Sequence, residues 1–286
     1  MNNKKYILIT GATGGLGSSV TNFFWDLGFN LILVARDLKK LESIKNNLKK
    51  NSIQTCEIYK CNLGDKKEVD KFIKYFMLNN SNLDILINNA AIHGPIGPSQ
   101  NTEISELLDA FQVNLFSPIM LCNSFSKIME KRGGGVIINI SGGGAATPRP
   151  NFSCYSITKT ALVRFTEILS IELKNKNITA NCIAPGMMNT KLLKEIIDNK
   201  KNLANDKEYI DALNFINKKD QSYKAVNELL FFLTTKKAKN ITGRLISAVW
   251  DKWQEWPKYS NKLINSDLYT LRRITARDKN MDWGDK

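Results

Sequence analysis

The sequence is poor in the residues that build metal sites and disulfides. It contains a single histidine, His93, and five scattered cysteines without a CxxC pair. A Cys/His zinc site needs several such ligands at close spacing, so we expect no bound metal. An odd number of dispersed thiols suits a reducing compartment, and we expect a cytoplasmic protein. The cysteines are Cys56, Cys61, Cys122, Cys154 and Cys182.

Long apolar runs, linkers and internal repeats are missing as well. No apolar run approaches the roughly 18 residues that cross a bilayer, so we expect no membrane span. The apolar run near the amino terminus gives way to glycines after about five residues, too early for a signal peptide. Without a boundary rich in proline or of low complexity, we expect one large domain over residues 1–250 and an extension over residues 251–286.

The charge is unbalanced, with a formal net charge of +14. The lysines are spread along the chain among asparagines and isoleucines and do not gather in one basic arm. We therefore expect no nucleic-acid binding, and an anionic small molecule accounts for the basic balance equally well.

Short apolar runs alternate with longer amphipathic ones, which is the pattern of repeated βα units and a parallel sheet. A polar stretch from Met187 to about Lys219 interrupts the alternation, and we interpret it as an irregular insert that forms a substrate lid. The extension is rich in tryptophan and is expected to pack on the domain or on a neighbouring subunit. The predicted strands are KYILIT, NLILVA, QTCEIYK, LDILINN, GVIINIS, ITANCIA and GRLISAV.

The segment TGATGGLG follows the first predicted strand and opens the first predicted helix. A parallel βα unit needs a tight turn at this point, and glycines let the backbone approach a pyrophosphate at the helix N-terminus. Gly11, Gly15 and Gly17 follow the spacing GxxxGxG. Such a loop alone could be a simple turn, but its place between strand and helix favours dinucleotide binding.

The second predicted strand ends in LILVARD, where NAD-binding proteins carry an acid for the ribose 2′-hydroxyl. Ala35 stands where that acid is expected, and Arg36 follows it. A guanidinium matches a 2′-phosphate and stacks on adenine, whereas the alternative is a surface arginine paired with Asp37. The sequence therefore favours NADP(H) over NAD(H).

Tyr155 and Lys159 lie four residues apart in YSITK, on one face of a predicted helix. Taken alone, the pair fits a solvated surface as well as it fits proton chemistry. Free tyrosine titrates near pH ~10, so a tyrosine that exchanges protons needs a nearby positive charge to favour its phenolate. The other motifs of the chain decide between the two interpretations.

Five motifs, TGATGGLG, INNAA, FQVNLF, YSITK and NCIAPGMMNT, together resemble the short-chain dehydrogenase/reductase family over about residues 4–250. The resemblance implies a single Rossmann-type, doubly wound α/β fold with a parallel sheet of about seven strands and helices on both faces. It implies that Tyr155 is the general acid/base, that Lys159 favours the phenolate and holds the nicotinamide ribose, and that Asn114 anchors a water in the proton relay. The residues implied to bind the cofactor, besides Tyr155 and Lys159, are Gly11, Thr13, Gly14, Gly15, Leu16, Gly17, Arg36, Asn62, Leu63, Asn89, Ala90, Ala91, Pro185, Gly186 and Thr190, with Asn62 and Ala91 replacing the usual aspartate and glycine.

The substrate-binding serine is the serious departure from the family pattern. It normally lies about thirteen residues before the tyrosine, and that position is Gly142. Because Gly144 follows Ser141 by three residues, as the family's glycine follows its serine, a one-residue insertion in the next loop would restore the pattern. We assign Ser141 the oxyanion-binding role, with Thr147 and Ser153 as substitutes.

These motifs predict an oxidoreductase that interconverts a ketone and a secondary alcohol by hydride transfer. The small-molecule substrate is not identified, and anionic or nucleotide-linked carbonyl compounds are among the candidates. The irregular serine leaves open a cofactor-binding sensor or scaffold, and an epimerase or dehydratase that uses the nicotinamide transiently also stays open. His93, Arg272, Arg273 and Arg277 either meet the substrate or have no role in the site.

Family members usually pair through the helices before and after the fifth strand, here about residues 103–131 and 153–174. Both segments carry apolar residues on more than one face, so packing on the sheet leaves an apolar remainder. We expect a homodimer or homotetramer with an isologous interface.

The Arg36 assignment predicts the cofactor preference of a variant. In Arg36→Ala, the loss of a charge-assisted contact to the 2′-phosphate should weaken NADP(H) binding about ten- to a hundredfold. Affinity for NAD(H) should hardly change. Titration of cofactor fluorescence measures both, and a preference of the unmodified protein for NAD(H) would refute the assignment.

Overall fold

All seven strands predicted from the sequence are present, and they pair in parallel in one sheet. The computed structural model describes residues 5–49, 53–80, 82–198, 206–217 and 223–283. The strands are β1 Tyr6–Thr10, β2 Asn30–Ala35, β3 Cys56–Lys60, β4 Ile85–Asn88, β5 Gly135–Ile140, β6 Ile178–Ala184 and β7 Leu245–Ser247. They lie in the order β3-β2-β1-β4-β5-β6-β7, so the order reverses between β1 and β4.

Helices cover both faces of the sheet, which confirms the doubly wound α/β fold. The α-helices of the described residues are α1 Gly15–Asp26, α2 Leu38–Asn47, α3 Lys66–Asn79, α4 Ile104–Phe111, α5 Ser117–Lys131, α6 Ser153–Glu172, α7 Lys191–Asp198, α8 Asp206–Ile216, α9 Lys224–Leu233 and α10 Ser260–Ile264. Within this part of the chain, no helix is both long and apolar enough to span a membrane.

The two faces of the sheet are each sealed by an apolar cluster, because successive side chains of a strand point to opposite sides. On β1, Ile7 and Ile9 face the cluster that contains α1 and α9. Leu8, between them, faces the cluster of α3, α5 and α6. Burial on both faces explains why the strands read as continuous apolar runs in the sequence.

The described part of the predicted lid contains two helices, whereas the sequence suggested an irregular insert. Its two helices, α7 and α8, pack together through Leu193, Ile196 and Ala212. The same cluster contains Phe152 and Tyr155, so the insert lies over the start of α6. The many lysines and asparagines of the insert mask this short apolar stripe in the sequence. Residues 199–205, 218 and 219 of the predicted insert lie outside the described residues.

The described part of the extension packs on the domain that precedes it. Trp253 and Trp256 are 4% and 5% exposed, and both belong to the apolar cluster of α1 and α9. The buried guanidinium of Arg244 donates hydrogen bonds to the carbonyl oxygens of Leu263, Ser266 and Leu268. The tryptophans and this arginine therefore fasten the extension to the β7 side of the sheet.

Trp256 is expected to contribute strongly to stability. Trp256→Ala should lower the free energy of unfolding by about 3–5 kcal/mol, because it removes a large buried ring and leaves a cavity. Trp250 is 84% exposed, so Trp250→Ala is the matched control and should stay within about 0.5 kcal/mol of the unmodified protein. Urea denaturation measures both, and equal losses would show that burial of Trp256 is not what matters.

Candidate active site

Tyr155 and Lys159 lie one turn apart on the inner side of α6, beside the end of β5. Tyr155 is 7% exposed and Lys159 1% exposed, so the pair does not form a solvated surface. Lys159 Nζ donates a hydrogen bond to the carbonyl oxygen of Ile140 at 2.8 Å. It also lies 5.6 Å from the centre of the Tyr155 ring. The structure brings the phenol and the amine together at the carboxyl end of β5.

Burial shifts both groups towards their neutral forms. It raises the pKa of Tyr155 to about 12, and the charge of Arg149 opposes this shift. It lowers the pKa of Lys159 to about 8. The sequence suggested that Lys159 favours the phenolate, but the charge that opposes the raised pKa of Tyr155 is that of Arg149. Tyr155 therefore rests as a protonated phenol, which is the form of a general acid.

Gly142 lies directly against the Tyr155 hydroxyl. A Cβ on Gly142 would stand 2.2 Å from Tyr155 Oη. Ser141, in contrast, is 1% exposed, and its Oγ is sealed from solvent without a hydrogen-bond partner among the described residues. Because neighbouring residues at a strand end point to opposite sides, Ser141 does not take the place beside the phenol.

This geometry corrects the assignment of Ser141 through a loop insertion. Gly142 keeps the spacing of thirteen residues before Tyr155, so no extra residue is needed in the following loop. The two substitutes do not fill the place either: Thr147 is exposed and Ser153 half-buried, and neither forms a hydrogen bond with Tyr155 in the described chain. No serine side chain stands where the sequence led us to expect one.

Asn114 is held in a π-helical turn, Gln112–Phe116, between α4 and α5. Such single π-turns occur often at functional sites. Its Oδ1 accepts a hydrogen bond from Ile92 N at 2.9 Å, and its Nδ2 donates to Ile92 O at 2.8 Å and Thr158 Oγ1 at 3.1 Å. Asn114 thus fastens the loop after β4 to α6, three residues beyond Tyr155.

The glycine loop is packed too closely for side chains at two positions. Gly11 has a positive φ of 64°, and a Cβ there would lie 2.8 Å from Ala90 Cα. A Cβ on Gly17 would lie 2.2 Å from the Gly11 carbonyl oxygen. Asn89 ties the two strand ends together, since its Nδ2 donates to Thr10 O at 2.9 Å. The loop after β1 and the loop after β4, which continues into Ala91, therefore form one rigid edge.

The N-terminus of α1 suits the phosphates of a dinucleotide. Gly14 and Gly15 are exposed there, Thr13 is half-buried, and Leu16 is buried against the sheet. The helix has no side-chain cap and no acidic residue in its first turn. Uncapped backbone N–H groups and the positive end of the helix dipole attract an anion.

Arg36 projects from the end of β2 and is exposed. Asp37 does not pair with it: its carboxylate accepts a hydrogen bond from Lys40 N and lies 3.8 Å from Lys40 Nζ. Within the described residues, Arg36 has no ion pair. At the end of β3, Asn62 Oδ1 accepts from Gly64 N, and the carbonyl of the buried Leu63 accepts a hydrogen bond from α5. Arg36, Asn62 and Leu63 thus lie at the carboxyl ends of β2 and β3, on the edge of the sheet that also carries the glycine loop.

The loop from Pro185 to Thr190 follows β6 and turns through Gly186, whose φ is 80°. Tyr223, which sequence reasoning missed, donates a hydrogen bond from its hydroxyl to Asn189 O at 2.5 Å. A Cβ on Gly15 would lie 2.5 Å from the Tyr223 hydroxyl. The phenol thus joins this loop to the start of α1, although 34 residues separate it from Asn189.

Two basic residues flank the Tyr155 ring, and each is tied to the lid. The ring centre of His93 lies 5.2 Å from that of Tyr155, and Nδ1 is 3.1 Å from Glu195 Oε2 on α7. The guanidinium carbon of Arg149 lies 5.9 Å from the Tyr155 ring centre, and two of its nitrogens donate to Glu208 on α8 at 2.7 and 2.9 Å. In the sequence, His93 and Arg149 are marked as site residues only by their position in loops that follow strands, where binding residues are often found.

The three arginines of the extension are exposed. Arg272 pairs with Asp267 at 2.5 Å and with Asp278 at 2.6 Å, both within the extension. No hydrogen bond or ion pair of the described residues joins Arg272, Arg273 or Arg277 to Tyr155.

Comparison with known proteins relates most of the chain to one enzyme family. The family model described as short chain dehydrogenase matches residues 5–201. Human dehydrogenase/reductase SDR family member 4 is 27% identical over 186 residues, which cover 65% of this chain and 66% of that protein. Dehydrogenase/reductase SDR family protein 7-like of Drosophila melanogaster is 31% identical over 66% of this chain and 58% of its own length. The chain thus spans between 58% and 66% of the length of these curated relatives.

A solved structure extends the likeness to the fold. The NADPH-dependent reductase YwfH, involved in bacilysin biosynthesis, superposes with a TM-score of 0.76 at 28% identity, over 86% of this chain and 97% of that one. L-sorbose reductase from Gluconobacter frateurii has a TM-score of 0.73 at 24% identity, over 85% of this chain and 94% of that one, which shows a shared fold.

The contact between Gly142 and Tyr155 predicts a loss of stability. Gly142→Ala must displace the buried phenol, and overpacking of this kind costs about 1–3 kcal/mol. Gly143→Ala is the matched control, because a Cβ there would meet its nearest neighbour only at 4.0 Å. Urea denaturation compares the two, and equal stability would show that the phenol moves aside without cost.

Proposed function

This chain belongs to the short-chain dehydrogenase/reductase family, and we propose that it is an NADP(H)-dependent member that interconverts a ketone and a secondary alcohol. The observation that carries the proposal is the buried pair of Tyr155 and Lys159 at the edge that also bears the glycine loop. Its five cysteines are all free thiols, which fits the reducing cytosol that we propose for it.

Tyr155 is the proposed acid/base of the reaction. With its pKa raised to about 12, the phenol is protonated at neutral pH and can donate to a carbonyl oxygen. The nicotinamide supplies or accepts the hydride when bound. Lys159 holds the ribose beside it, and Asn114 fixes the loop after β4. In the direction of alcohol oxidation, Tyr155 must lose its proton, which needs the positive charge of the oxidised ring.

NADP(H) is the cofactor that the chain's own residues support best. The exposed Arg36 has no ion pair in the described part of the chain and stands at the ribose end of the edge. The uncapped start of α1 offers backbone N–H groups to the pyrophosphate. We assign the remaining contacts to the loops after β3, β4 and β6, which hold Asn62, Leu63, Asn89–Ala91 and Pro185–Thr190. The NADPH-dependent relative YwfH agrees with this preference.

A cofactor-binding protein without turnover is the second candidate function. Gly142 favours it, because the site lacks a serine hydroxyl beside the phenol. Ketones, 3-oxoacyl thioesters and keto sugar nucleotides, offered one by one with NADPH, separate the two functions through the absorbance of the reduced cofactor. Oxidation of NADPH by one of them supports the reductase, and cofactor binding without oxidation supports the sensor.

Replacement of the phenol tests the mechanism itself. Tyr155→Phe should abolish turnover and leave cofactor affinity nearly unchanged, since the ring keeps its packing and only the proton carrier is lost. Lys159→Ala should harm both turnover and binding. Steady-state rates measure turnover, and cofactor titration measures binding. Near-normal turnover of Tyr155→Phe would refute the proposed mechanism.

We also propose a dimer built on the helices around β5. Leu108 on α4 and Ile157 on α6 remain 59% and 52% exposed, whereas Leu169 and Leu173 are buried in the domain. Exposed apolar side chains on adjacent helices are typical of an interface between copies.

Leu108→Glu should then shift the protein to a monomer, because a carboxylate would be buried at the interface. Leu78→Glu is the control, since Leu78 is 75% exposed on α3. Light scattering at micromolar concentration gives the mass, and a monomeric unmodified protein would defeat the proposal.

A further inference from the structure

The absence of a side chain at Gly142 leaves the reaction short of one hydrogen-bond donor. A ketone that becomes an alkoxide develops negative charge on its oxygen, and a donor aimed at that oxygen stabilises the transition state. Tyr155 supplies one contact. The space where a second hydroxyl would lie is closed, since even a Cβ on Gly142 would meet the phenol.

His93 is a polar group that the structure places against the Tyr155 ring. It follows β4 at the carboxyl edge and is 4% exposed. Its ring packs edge to face against Tyr155, with centroids 5.2 Å apart, and against Phe152, with centroids 5.5 Å apart. Both rings belong to the start of α6, so His93 lies beside the phenol.

The backbone on both sides of His93 is fixed. Asn114 bonds both the N–H and the carbonyl oxygen of Ile92. Gly94 adopts a φ of 69°, and a Cβ there would meet Cys154 Sγ at 2.8 Å. A side chain between two such constrained positions is preorganised, which a donor to a transition state requires.

The contact with Glu195 indicates which nitrogen of the His93 ring carries a proton. The hydrogen bond with His93 lowers the pKa of Glu195, so its carboxylate is charged and Nδ1–H of His93 donates to it. Lys191 lies 3.7 Å from the other oxygen of the carboxylate. Nε2 of His93 makes no hydrogen bond in the described chain, and it is not among the polar atoms that are sealed from solvent without a partner. Nε2 is therefore the nitrogen left for a ligand.

The other basic side chains near Tyr155 are already engaged. Arg149 stacks on Phe152 at 3.7 Å and donates two hydrogen bonds to Glu208. Lys159 donates to Ile140 O. Of the three basic groups around the phenol, His93 is the one that offers a ring nitrogen, Nε2, which has no hydrogen-bond partner in the described residues and can donate to a ligand.

We propose that His93, oriented by Glu195, binds the substrate oxygen in place of the missing serine hydroxyl. The proposal rests on the reductase function above. The His93 ring donates a hydrogen bond from Nε2 to the carbonyl oxygen, and the proton that finally reaches this oxygen comes from Tyr155. The hydride ends on the carbonyl carbon, and His93 keeps its own proton. Glu195 is a positioning residue, and because it lies on α7, the lid must be seated for His93 to point correctly.

The single histidine of the chain makes the ring directly observable. In protein with ¹⁵N-labelled histidine, two ring resonances report His93 alone. In the unmodified protein we expect Nδ1 to carry a proton that is bonded to Glu195. Glu195→Gln should shift the Nδ1 resonance, whereas Glu208→Gln, which changes the partner of Arg149 on α8 and leaves the Glu195 carboxylate on α7 intact, should leave both resonances in place.

Ligand contact is tested with NADP⁺ and the alcohol of the ketone that the screen finds to be reduced fastest. Addition of this alcohol should shift the Nε2 resonance of His93 more than its Nδ1 resonance. In the reduction assay, His93→Phe should keep the ring packing and lower kcat about 10²–10³-fold, as the loss of one oxyanion donor does. His93→Gln, which retains an N–H donor, should recover part of that loss. Cofactor affinity should be unchanged in both variants.

Each result has one meaning. A loss in His93→Phe with partial recovery in His93→Gln supports the proposal. If the unmodified protein reduces a ketone and His93→Phe is within threefold of it, the proposal about His93 is overturned and the reductase function stands. If His93→Phe and His93→Gln lose kcat equally and also bind the cofactor more weakly or unfold at a lower temperature, His93 has a structural role. That result would overturn the proposal as well. If the unmodified protein reduces no compound of the screen, both the function and this inference fail.

Discussion

The reversal of strand order between β1 and β4 is the constraint on which the rest of the structure depends. Connections leave β1 and β4 towards opposite faces of the sheet, so a crevice opens between their carboxyl ends. Gly11 and Ala90 meet across this crevice so closely that a Cβ on Gly11 would lie 2.8 Å from Ala90 Cα. The glycine loop after β1 and the loop after β4 are therefore parts of one rigid body.

Desolvation is the second organising effect, and the lid produces it. The apolar sides of α7 and α8 pack against Phe152 and Tyr155, and burial raises the pKa of the phenol. The two acidic lid residues Glu195 and Glu208 reach inward to the basic groups beside the phenol. Apolar side chains therefore surround the phenol of Tyr155, and the ion pairs of Glu195 and Glu208 lie beyond them. A surrounding of low dielectric constant strengthens such electrostatic contacts.

Local patterns carried most of the fold, because strands buried on both faces leave continuous apolar runs that the sequence shows directly. The helix pair Tyr155 and Lys159 could be placed for the same reason, since helical spacing is a local property. Gly142 could not be distinguished from Ser141, because the choice depends on the path of a loop. The partnership of His93 with Glu195 spans 102 residues, and no periodic pattern links residues across such a separation. The lid helices were missed because their apolar stripe is short and surrounded by lysine and asparagine.

The extension also changes what the edge of the sheet can do. Strand β7 is only three residues long, and the amide of Leu245 is bonded to the carbonyl oxygen of Tyr269 at 2.8 Å. An edge strand whose backbone groups are unpaired is a template on which another chain can add a strand. Because Tyr269 of the extension bonds to the edge strand, another chain cannot pair with β7 at this point, and the extension protects the edge from aggregation. The risk of aggregation then lies in any state in which the extension detaches while the sheet remains folded. Such a state would expose the unpaired backbone groups of β7 while the loops at the carboxyl edge were still in place.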